Sequence, residues 1–391
     1  MLPLALVLLA QSPAHTVPFE ITNNKTFVQA TIDGSAPLWF IFDTGNNGPT
    51  VIARSCADRL KLERSADQKV QIGAGSGADV SHSQLQHGVK VQALGETLAL
   101  AEPEVLTLDH VARIEGRRVD GLLGSDFLSQ HVVEIDYARG TMTVHDPAAY
   151  APPQGATVLP LDLDKGWPVV EGTITLRGAQ PLPVRLIVDT GMKGTVTMFR
   201  PFSERNSLYD ASGSLHDIVT GAGAGGITRG DVVRLDAMTL GPLSFAKPVA
   251  GIARDRTGVM GQVDDPDGIM GGEILRRYRV TFDYPHQRMI LEADPKAAAA
   301  PAFEYDMSGL FLGAEDPDFA TIRVLAVNPS TPGAEAGLEA GDEIVSIDGQ
   351  ATPKLSLDAA RGLLRKPAVH TLAIRRGGEA KTVRLAARRM V

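Results

Sequence analysis

Short apolar runs separated by glycine, asparagine and aspartate fill most of the chain. Residues 26–32 alternate between polar and apolar side chains, which predicts a half-buried strand. Residues 38–42 are continuously apolar, as in a strand buried on both faces. Helical patterns are confined to short segments, such as residues 53–60 and a turn that Ser125 is suited to N-cap. The pattern predicts a mainly β protein.

Two of the apolar strand patterns end in Asp-Thr-Gly, at residues 43–45 and 189–191. Other segments recur at nearly the same distance, namely 73–75 and 221–223, 120–124 and 267–271, and 135–137 and 282–284. The offset stays between 146 and 148 residues over this whole span. One unit has therefore been duplicated and fused, and the two copies are expected to share a fold.

The aspartates of this repeat, Asp43 and Asp189, each stand where a buried strand opens into a loop. An approximate two-fold axis between the copies would bring both carboxyl groups into one site. Like charges in contact cannot both stay ionised in a shielded cleft, so the pair is expected to hold one proton. The ionised member can then take a proton from water while the protonated member hydrogen-bonds a carbonyl, as in the aspartic-protease pair, the established example. The alternative is that each aspartate caps its own turn.

The residues beside the two aspartates suit such a dyad. A threonine hydroxyl can hydrogen-bond across to the opposite loop, and glycine lets backbone approach a carboxyl group without a Cβ. We therefore interpret four residues as support for the site, namely Thr44, Gly45, Thr190 and Gly191.

Together these motifs resemble the aspartic protease superfamily, and most closely the retropepsin-like bacterial aspartyl proteases, over residues 17–294. The resemblance implies two β lobes with the active site between them and peptide-bond hydrolysis. It also implies a strand beside each catalytic loop, which gives supporting positions to Leu123, Gly124, Met270 and Gly271. Pepsin-like members usually have Ser or Thr after Asp-Thr-Gly, whereas this chain has Asn46 and Met192, which points to the retropepsin branch.

Two glycine-rich segments follow the Asp-Thr-Gly motifs. The second matches G-x-G-x-x-G, but residues 227–233 after it are strand-like, which disfavours a dinucleotide site. We interpret both segments as flap tips whose closure over a peptide excludes water, and the alternative is an ordinary flexible loop. The candidate flap glycines are Gly73, Gly75, Gly77, Gly221, Gly223 and Gly225.

The C-terminal module has a different character, and its residues 330–349 closely resemble PDZ domains. The resemblance implies a PDZ-like β-barrel domain with helices, with residues 357–364 as the helix beside a peptide-binding groove. It also gives a carboxylate-binding loop, which comprises Gly309, Leu310, Phe311 and Leu312. Such a loop captures a peptide C-terminus while the peptide adds as a strand. The alternative is that the module only braces the protease.

Composition narrows the possible partners. The chain has 391 residues with 43% hydrophobic and 21% charged residues, which fits a globular protein with a large core. A formal net charge of −8 argues against nucleic acid, because phosphate binding needs a basic field. The single cysteine, Cys56, excludes a disulfide framework and a cysteine-built zinc site. No H-E-x-x-H spacing occurs, and Ser76 does not lie in G-x-S-x-G, so neither a metal nor a cofactor is expected.

The first residues predict export. Residues 2–10 form an apolar run that suits a secretory signal and is too short to span a bilayer, and Ser12 and Ala14 are small residues before a cut. The mature protein would then be periplasmic or extracellular, with no stable membrane span. No Lys or Arg precedes the run, so a misplaced start, a buried strand and an intracellular processing protease stay open.

These observations predict the following segments: a signal peptide at 1–14, a first protease lobe at 15–147, a linker at 148–156, a second lobe at 157–295, a linker at 296–303 and a PDZ domain at 304–391. The predicted function is that of an aspartic endopeptidase acting on polypeptides, with a PDZ module that binds substrate or partner C-termini. The alternative from another class is a catalytically silent peptide-binding scaffold with a protease-like fold.

Overall fold

The computed structural model describes residues 15–71, 77, 79–210, 215–293, 302–315, 317–352 and 354–391. The predicted signal peptide at 1–14 and most of the predicted linker at 296–303 lie outside the described residues. The flap candidates Gly73 and Gly75 lie outside them as well. No helix in the described part of the chain is long and apolar enough to cross a membrane.

The first half of the chain forms a lobe of short strands. Its strands are β1 (His15–Pro18), β2 (Glu20–Thr22), β3 (Lys25–Ile32), β4 (Leu38–Phe42), β5 (Val51–Ala53), β6 (Gln68–Gln71), β7 (Asp79–Gln84), β8 (Val89–Ala93), β9 (Glu96–Leu100), β10 (Glu104–Leu106), β11 (Gly121–Leu123), β12 (Val132–Asp136) and β13 (Thr141–His145). Its helices are α1 (Arg54–Arg59), α2 (Asp109–Glu115) and α3 (Ser125–Leu128).

The second lobe repeats this arrangement. Its strands are β14 (Thr157–Pro160), β15 (Val169–Thr175), β16 (Leu182–Val188), β17 (Val196–Met198), β18 (Leu215–Gly223), β19 (Gly226–Arg234), β20 (Ala237–Leu240), β21 (Leu243–Ala246), β22 (Val249–Ala253), β23 (Gly268–Met270), β24 (Tyr278–Asp283) and β25 (Arg288–Ala293). Its helices are α4 (Arg200–Arg205), α5 (Gly258–Gln262) and α6 (Gly272–Leu275), with 3₁₀ turns at Leu208–Asp210 and Tyr284–His286.

The sheets of the two lobes have the same strand order. The first runs β6-β7-β10-β5-β11-β4-β3-β8-β9, with β2 added beside β3. The second runs β18-β19-β22-β17-β23-β16-β15-β20-β21. Each strand of the second sheet occupies the position of its counterpart in the first, so the prediction that the two copies share a fold is confirmed.

A third sheet joins the lobes, in the order β1-β13-β12-β24-β25-β14. At its centre β12 and β24 are antiparallel, with Val133 opposite Phe282 and Ile135 opposite Val280. An offset of 147 residues exchanges these two pairs, so an approximate two-fold axis passes between the strands. All four side chains are buried. This apolar seam holds the two lobes in a fixed relation about the axis.

The C-terminal module has strands β26 (Leu310–Glu315), β27 (Thr321–Val327), β28 (Glu343–Ile347), β29 (Gln350–Ala351), β30 (Val369–Arg376) and β31 (Glu379–Ala386), with helices α7 (Pro332–Glu335) and α8 (Leu357–Leu364). The sheet order is β26-β27-β28-β30-β31, with β29 beside β28. Within the described residues β26 and β31 do not pair, so the sheet is open and not the barrel that we expected. Helix α8 has the bounds that the sequence predicted.

Two local predictions have different outcomes. The helix expected over residues 53–60 is present as α1, whereas Ser125 is the first residue of α3 and not its cap. The Ser125 hydroxyl donates instead to the carbonyl oxygens of Asn47 and Gly48, each at 3.0 Å. These carbonyls belong to the loop after Asp43, and they compete with the helix terminus for the hydroxyl. The mainly β prediction is confirmed.

Candidate active site

Each aspartate directly follows a buried strand. Strand β4 ends one residue before Asp43, and β16 ends one residue before Asp189. Strands β11 and β23 run parallel to β4 and β16 respectively. The amide of Asp43 donates to the carbonyl oxygen of Leu123 at 3.2 Å, and the amide of Asp189 donates to that of Met270 at 2.9 Å. The strands expected beside the catalytic loops therefore fix the backbone of both aspartates.

The two loops meet with each glycine beneath the opposite carboxyl group. A Cβ added to Gly45 would lie 2.5 Å from Cγ of Asp189, and one added to Gly191 would lie 2.7 Å from Cγ of Asp43. Real Cβ atoms do not approach other heavy atoms this closely. Only glycine fits at these two positions, and it is the close contact that requires it, because neither residue has a positive φ.

The threonines form reciprocal hydrogen bonds between the lobes. The amide of Thr44 donates to Oγ1 of Thr190 at 3.1 Å, and the amide of Thr190 donates to Oγ1 of Thr44 at 3.0 Å. Each hydroxyl in turn donates to a carbonyl of the opposite strand, that of Val188 at 2.6 Å and that of Phe42 at 2.5 Å. Both threonines are buried. The loops are therefore tied to each other as well as to their own sheets.

Electrostatics distinguish the two carboxyl groups. Burial raises the pKa of Asp43, while the Lys25 cation and a hydrogen bond with Asp189 act in the opposite direction. Burial and the neighbouring charge of Asp43 raise the pKa of Asp189 well above its usual range. The amides of Gly45 and Gly191 each donate to the carboxylate of their own loop, at 3.0 and 2.6 Å. A pair with these shifts holds one proton between its two carboxyl groups.

Lys25, whose cation lowers the pKa of both aspartates, is a residue that the sequence analysis missed. Lys25 is buried at the start of β3, and its Nζ lies 3.0 Å from Oε1 of Glu115 at the end of α2. Nδ2 of Asn23 donates to the other oxygen of Glu115 at 3.1 Å. Burial lowers the pKa of Lys25, but Glu115 and the two aspartates together outweigh it and the net shift is upward, so the ammonium stays charged. A lysine that opens a mostly apolar strand is the signal that could have identified it.

The second lobe has an indole where the first has this cation. Phe27 pairs with Ile41 and Val169 pairs with Ile187, each partner two residues before its aspartate. Trp167 is therefore the structural counterpart of Lys25. Its Nε1 donates to the carbonyl oxygen of Gly45 at 3.0 Å. The ring packs in an apolar cluster, which also contains Ile187, Phe199, Ile269 and Met192.

Gly124 and Gly271, which follow strands β11 and β23, are packed as tightly as the glycines of the two Asp-Thr-Gly loops. The amide of Gly124 donates to Oγ1 of Thr50 at 3.3 Å, and that of Gly271 donates to the carbonyl oxygen of Thr195 at 3.0 Å. A Cβ on Gly124 would lie 2.5 Å from the carbonyl oxygen of Gly48. These predicted support positions therefore lie against the turns that follow each Asp-Thr-Gly.

The glycine-rich hairpins contact the opposite lobe. In the hairpin of β18 and β19, the carbonyl oxygen of Gly223 lies 3.0 Å from Nε2 of His110 in α2. Near the first segment, a Cβ on Gly77 would lie 2.5 Å from the backbone nitrogen of Gly258, at the start of α5. Helices α2 and α5 are structural counterparts, so the two contacts are equivalent. Gly221 lies in β18, and Gly225 lies in the turn at the tip.

The predicted carboxylate-binding residues lie in the C-terminal module. Gly309 precedes β26, and Leu310, Phe311 and Leu312 are its first three residues. Phe311 is buried in a cluster with Ile114 of α2. Binding of a peptide carboxylate by these residues stays a prediction.

Comparison with known families assigns the two parts of the chain. A sequence profile described as aspartyl protease matches residues 28–127 and 170–274, which together make up more than half of the chain. The chain belongs to the aspartyl protease family. A PDZ domain profile matches residues 323–376 of this aspartyl protease, within the C-terminal module.

Solved structures and curated proteins add two further findings. The aspartyl protease is similar to the aspartic proteinase from Irpex lacteus, with 15% sequence identity and a TM-score of 0.47 over 73% of this chain and 99% of that one. No curated protein gives a significant match.

Proposed function

We propose that this aspartyl protease is an active endopeptidase in which Asp43 and Asp189 activate one water molecule against a peptide bond of a polypeptide. The observation that supports this best is the close approach of each loop to the opposite carboxyl group, since a Cβ added to Gly45 would lie 2.5 Å from Cγ of Asp189 and one added to Gly191 would lie 2.7 Å from Cγ of Asp43. Two aspartates that only capped their own turns would have no reason to meet. The reciprocal threonine hydrogen bonds hold the two Asp-Thr-Gly loops together, and the glycines leave room for the opposite carboxyl group.

The two carboxyl groups have different roles in this mechanism. Asp189 enters the reaction protonated, because its pKa is the one raised further, and it hydrogen-bonds the oxygen of the scissile carbonyl. Asp43, kept ionised by Lys25, removes a proton from the water as its oxygen attacks the carbonyl carbon. When the tetrahedral intermediate collapses, the carbon–nitrogen bond breaks and Asp43 returns its proton to the leaving nitrogen. No cofactor takes part in these steps.

The hairpin of β18 and β19 acts as a flap, and the PDZ module recruits polypeptides. The contact of Gly223 with His110 supports the first role, because it closes the hairpin onto the opposite lobe. For the second role, β26 is the edge strand of an open sheet, which is the element that an added peptide strand pairs with. We also propose that the protein acts after export, and the mass of the mature N-terminus tests whether residues 1–14 are removed.

A silent peptide-binding scaffold is the second candidate, and Met192 is the observation that favours it. Its side chain packs in the apolar cluster with Trp167 and offers no hydroxyl to the Asp189 carboxylate. The Gly191 amide donates to that carboxylate at 2.6 Å, so Asp189 retains a donor from its own loop. The scaffold would bind polypeptide and release it uncut.

Digestion of an unfolded polypeptide from acidic to neutral pH separates the two candidates. We expect a bell-shaped profile whose limbs both lie above the usual pKa of an aspartate, since burial raises both values. Asp43→Asn and Asp189→Asn should each lower kcat/KM by at least about 100-fold. The matched control is Asp146→Asn on the exposed surface, which should cleave like the parent. Cleavage that survives in both active-site variants would refute the dyad.

A further inference from the structure

Helix α2 of the first protease lobe packs against the PDZ sheet. Its contact is with β26, which is an edge strand among the described residues and pairs there with β27. A Cβ on Gly313 of β26 would lie 3.2 Å from the carbonyl oxygen of Arg113. Nη2 of Arg361, on α8, donates to the carbonyl oxygens of Ile114 and Leu312, at 2.7 and 2.8 Å. One guanidinium on α8 thus links α2 to β26, and β26 and α8 are the two walls of the groove.

The C-terminal end of α2 packs closely against α8. Gly116 caps the helix in the left-handed conformation, with φ of +69°, which favours glycine. A Cβ there would also lie 2.8 Å from Cβ of Leu357, the first residue of α8. The chain therefore turns out of the helix directly against the wall of the groove.

The carboxylate-binding loop is also engaged by its own chain. Asp306 accepts hydrogen bonds from the amides of Ser308 and Gly309 and from the Ser308 hydroxyl. The Leu310 amide donates to the Ser308 hydroxyl at 3.1 Å. Burial raises the pKa of Asp306, and the amides that it accepts from act in the opposite direction. An internal carboxyl group therefore takes the Gly309 amide of the loop, and the Ser308 hydroxyl takes the Leu310 amide.

The same face of the module holds the second flap. Asn328 makes two hydrogen bonds with the backbone of Val219 in β18, accepting from its amide at 2.9 Å and donating to its carbonyl oxygen at 3.3 Å. Val219, Phe311 and Ile114 are buried together in one cluster. Four residues further along, Gly223 contacts His110 of α2. The flap, helix α2 and the PDZ module therefore meet at a single interface.

We propose that this interface is a latch, in which helix α2 occupies the PDZ groove as an internal ligand and the docked module holds the second flap closed. A polypeptide that enters the groove must displace α2 from β26 and Asp306 from the Gly309 amide. The partner that fits has an extended C-terminal segment. Its free carboxylate replaces Asp306, and its apolar last residue replaces the side chain of Ile114. Only the effect of the latch on cleavage rests on the proposed protease function.

Among the described residues, the contacts that close the two flaps differ. Near the first flap, Gly77 contacts α5 of the opposite lobe, which corresponds to the Gly223 contact with α2. The second flap has the Asn328 bonds in addition. Each bond stabilises the closed state alone, since opening separates its partners, and therefore lowers the open population. If the PDZ module were released, the flap would keep its contact between Gly223 and His110.

Hydrogen exchange of the full chain tests the latch apart from catalysis. In an Asp43→Asn background, Asn328→Ala should increase exchange at Val219 and over residues 215–223 about tenfold, because the bonded amide loses its acceptor. Arg361→Met should also increase exchange over these residues, although the substitution is in α8 and not in β18. Asn206→Ala, which removes a side-chain bond to the carbonyl of Phe202 at the end of α4, is the matched control and should leave the flap unchanged. Unchanged exchange in both interface variants would overturn the latch.

A peptide probe tests the groove itself. A short peptide that ends in valine with a free carboxylate should increase exchange in both β18 and α2, whereas the same peptide with a C-terminal amide should not. Equal responses to the two peptides, or protection of α2, would overturn the displacement. If the exchange results hold but the parent protein cleaves nothing, the latch stands and the proposed protease function fails.

Cleavage assays then measure the consequence. With Asp43 intact, Asn328→Ala should raise kcat/KM about tenfold for an unfolded polypeptide and less for a short peptide, since a longer chain needs a wider opening. An equal fall for both substrates would show that the interface only braces the fold.

Discussion

The two sides of the dyad have the same backbone and opposite chemistry. In the first lobe, a buried ion pair of Lys25 and Glu115 approaches the aspartates. In the second, Trp167 takes the place of the cation and packs in an apolar cluster with Met192. The strand order, the loop glycines and the threonine bonds are shared. Duplication has preserved the geometry that joins the carboxyl groups and has changed the charge around them.

This difference surrounds a symmetric pair of loops with an asymmetric set of charges. The Lys25 cation lowers the pKa of both aspartates, and its counterpart in the second lobe is the neutral indole of Trp167. Two identical lobes would leave the proton equally on either carboxyl group. We expect this charge substitution between the copies to give the two aspartates different roles.

Breaking the ion pair should have the largest effect on stability. Lys25→Met leaves Glu115 buried without its cation, so we expect a loss of about 3–5 kcal/mol in the free energy of unfolding. Urea denaturation measures this loss. In the parent protein the ammonium is charged throughout the acidic to neutral range, because its pKa is raised, so the ion pair does not lose its cation there.

The double variant Lys25→Met/Glu115→Leu makes this side of the dyad apolar, like the other. It should be more stable than Lys25→Met alone, since no unpaired charge remains. Both limbs of its pH–rate profile should move to higher pH, because the cation lowers the pKa of both aspartates. Limbs that stay in place would show that Lys25 serves stability only.

The shared features of the lobes could be predicted from the sequence, and the differences could not. A constant offset between repeated motifs is enough to predict the common fold and the meeting of Asp43 with Asp189. The correspondence of Lys25 and Trp167 has no such signal, because unlike residues match only through strand register. Glu115 is 90 residues from Lys25 in sequence, and no spacing rule connects a strand to a helix so far away.

The docking of the PDZ module escaped prediction for a related reason. Its key contacts join Ile114 to Arg361 and Val219 to Asn328, pairs separated by 247 and 109 residues. The sequence predicted helix α8 but not which surface it meets. Contacts between modules depend on shape and on single side chains, which leave no periodic pattern in the chain.

Where the lobes are equivalent, variants should have equivalent effects. Thr44→Val and Thr190→Val each remove one cross-lobe acceptor and one donor from a buried site, which should cost about 1–3 kcal/mol per variant. We expect the two costs to agree within about 0.5 kcal/mol, and the double variant to cost less than their sum, because the bonds form one network. Thermal unfolding of the three proteins measures this. A large difference between the single variants would show that the two-fold relation fails at the loops.

The smallest effect is expected on the apolar side. Trp167→Phe keeps an aromatic ring in the cluster and removes only the donor to the Gly45 carbonyl, which should cost about 0.5–1.5 kcal/mol. Its pH–rate profile should match that of the parent, because the indole is neutral and shifts neither carboxyl group. A profile that moved as far as that of the Lys25 double variant would mean that the Gly45 loop, and not the lysine charge, sets the proton position. An unchanged profile with a small loss of stability would place the electrostatic control of the dyad in the first lobe.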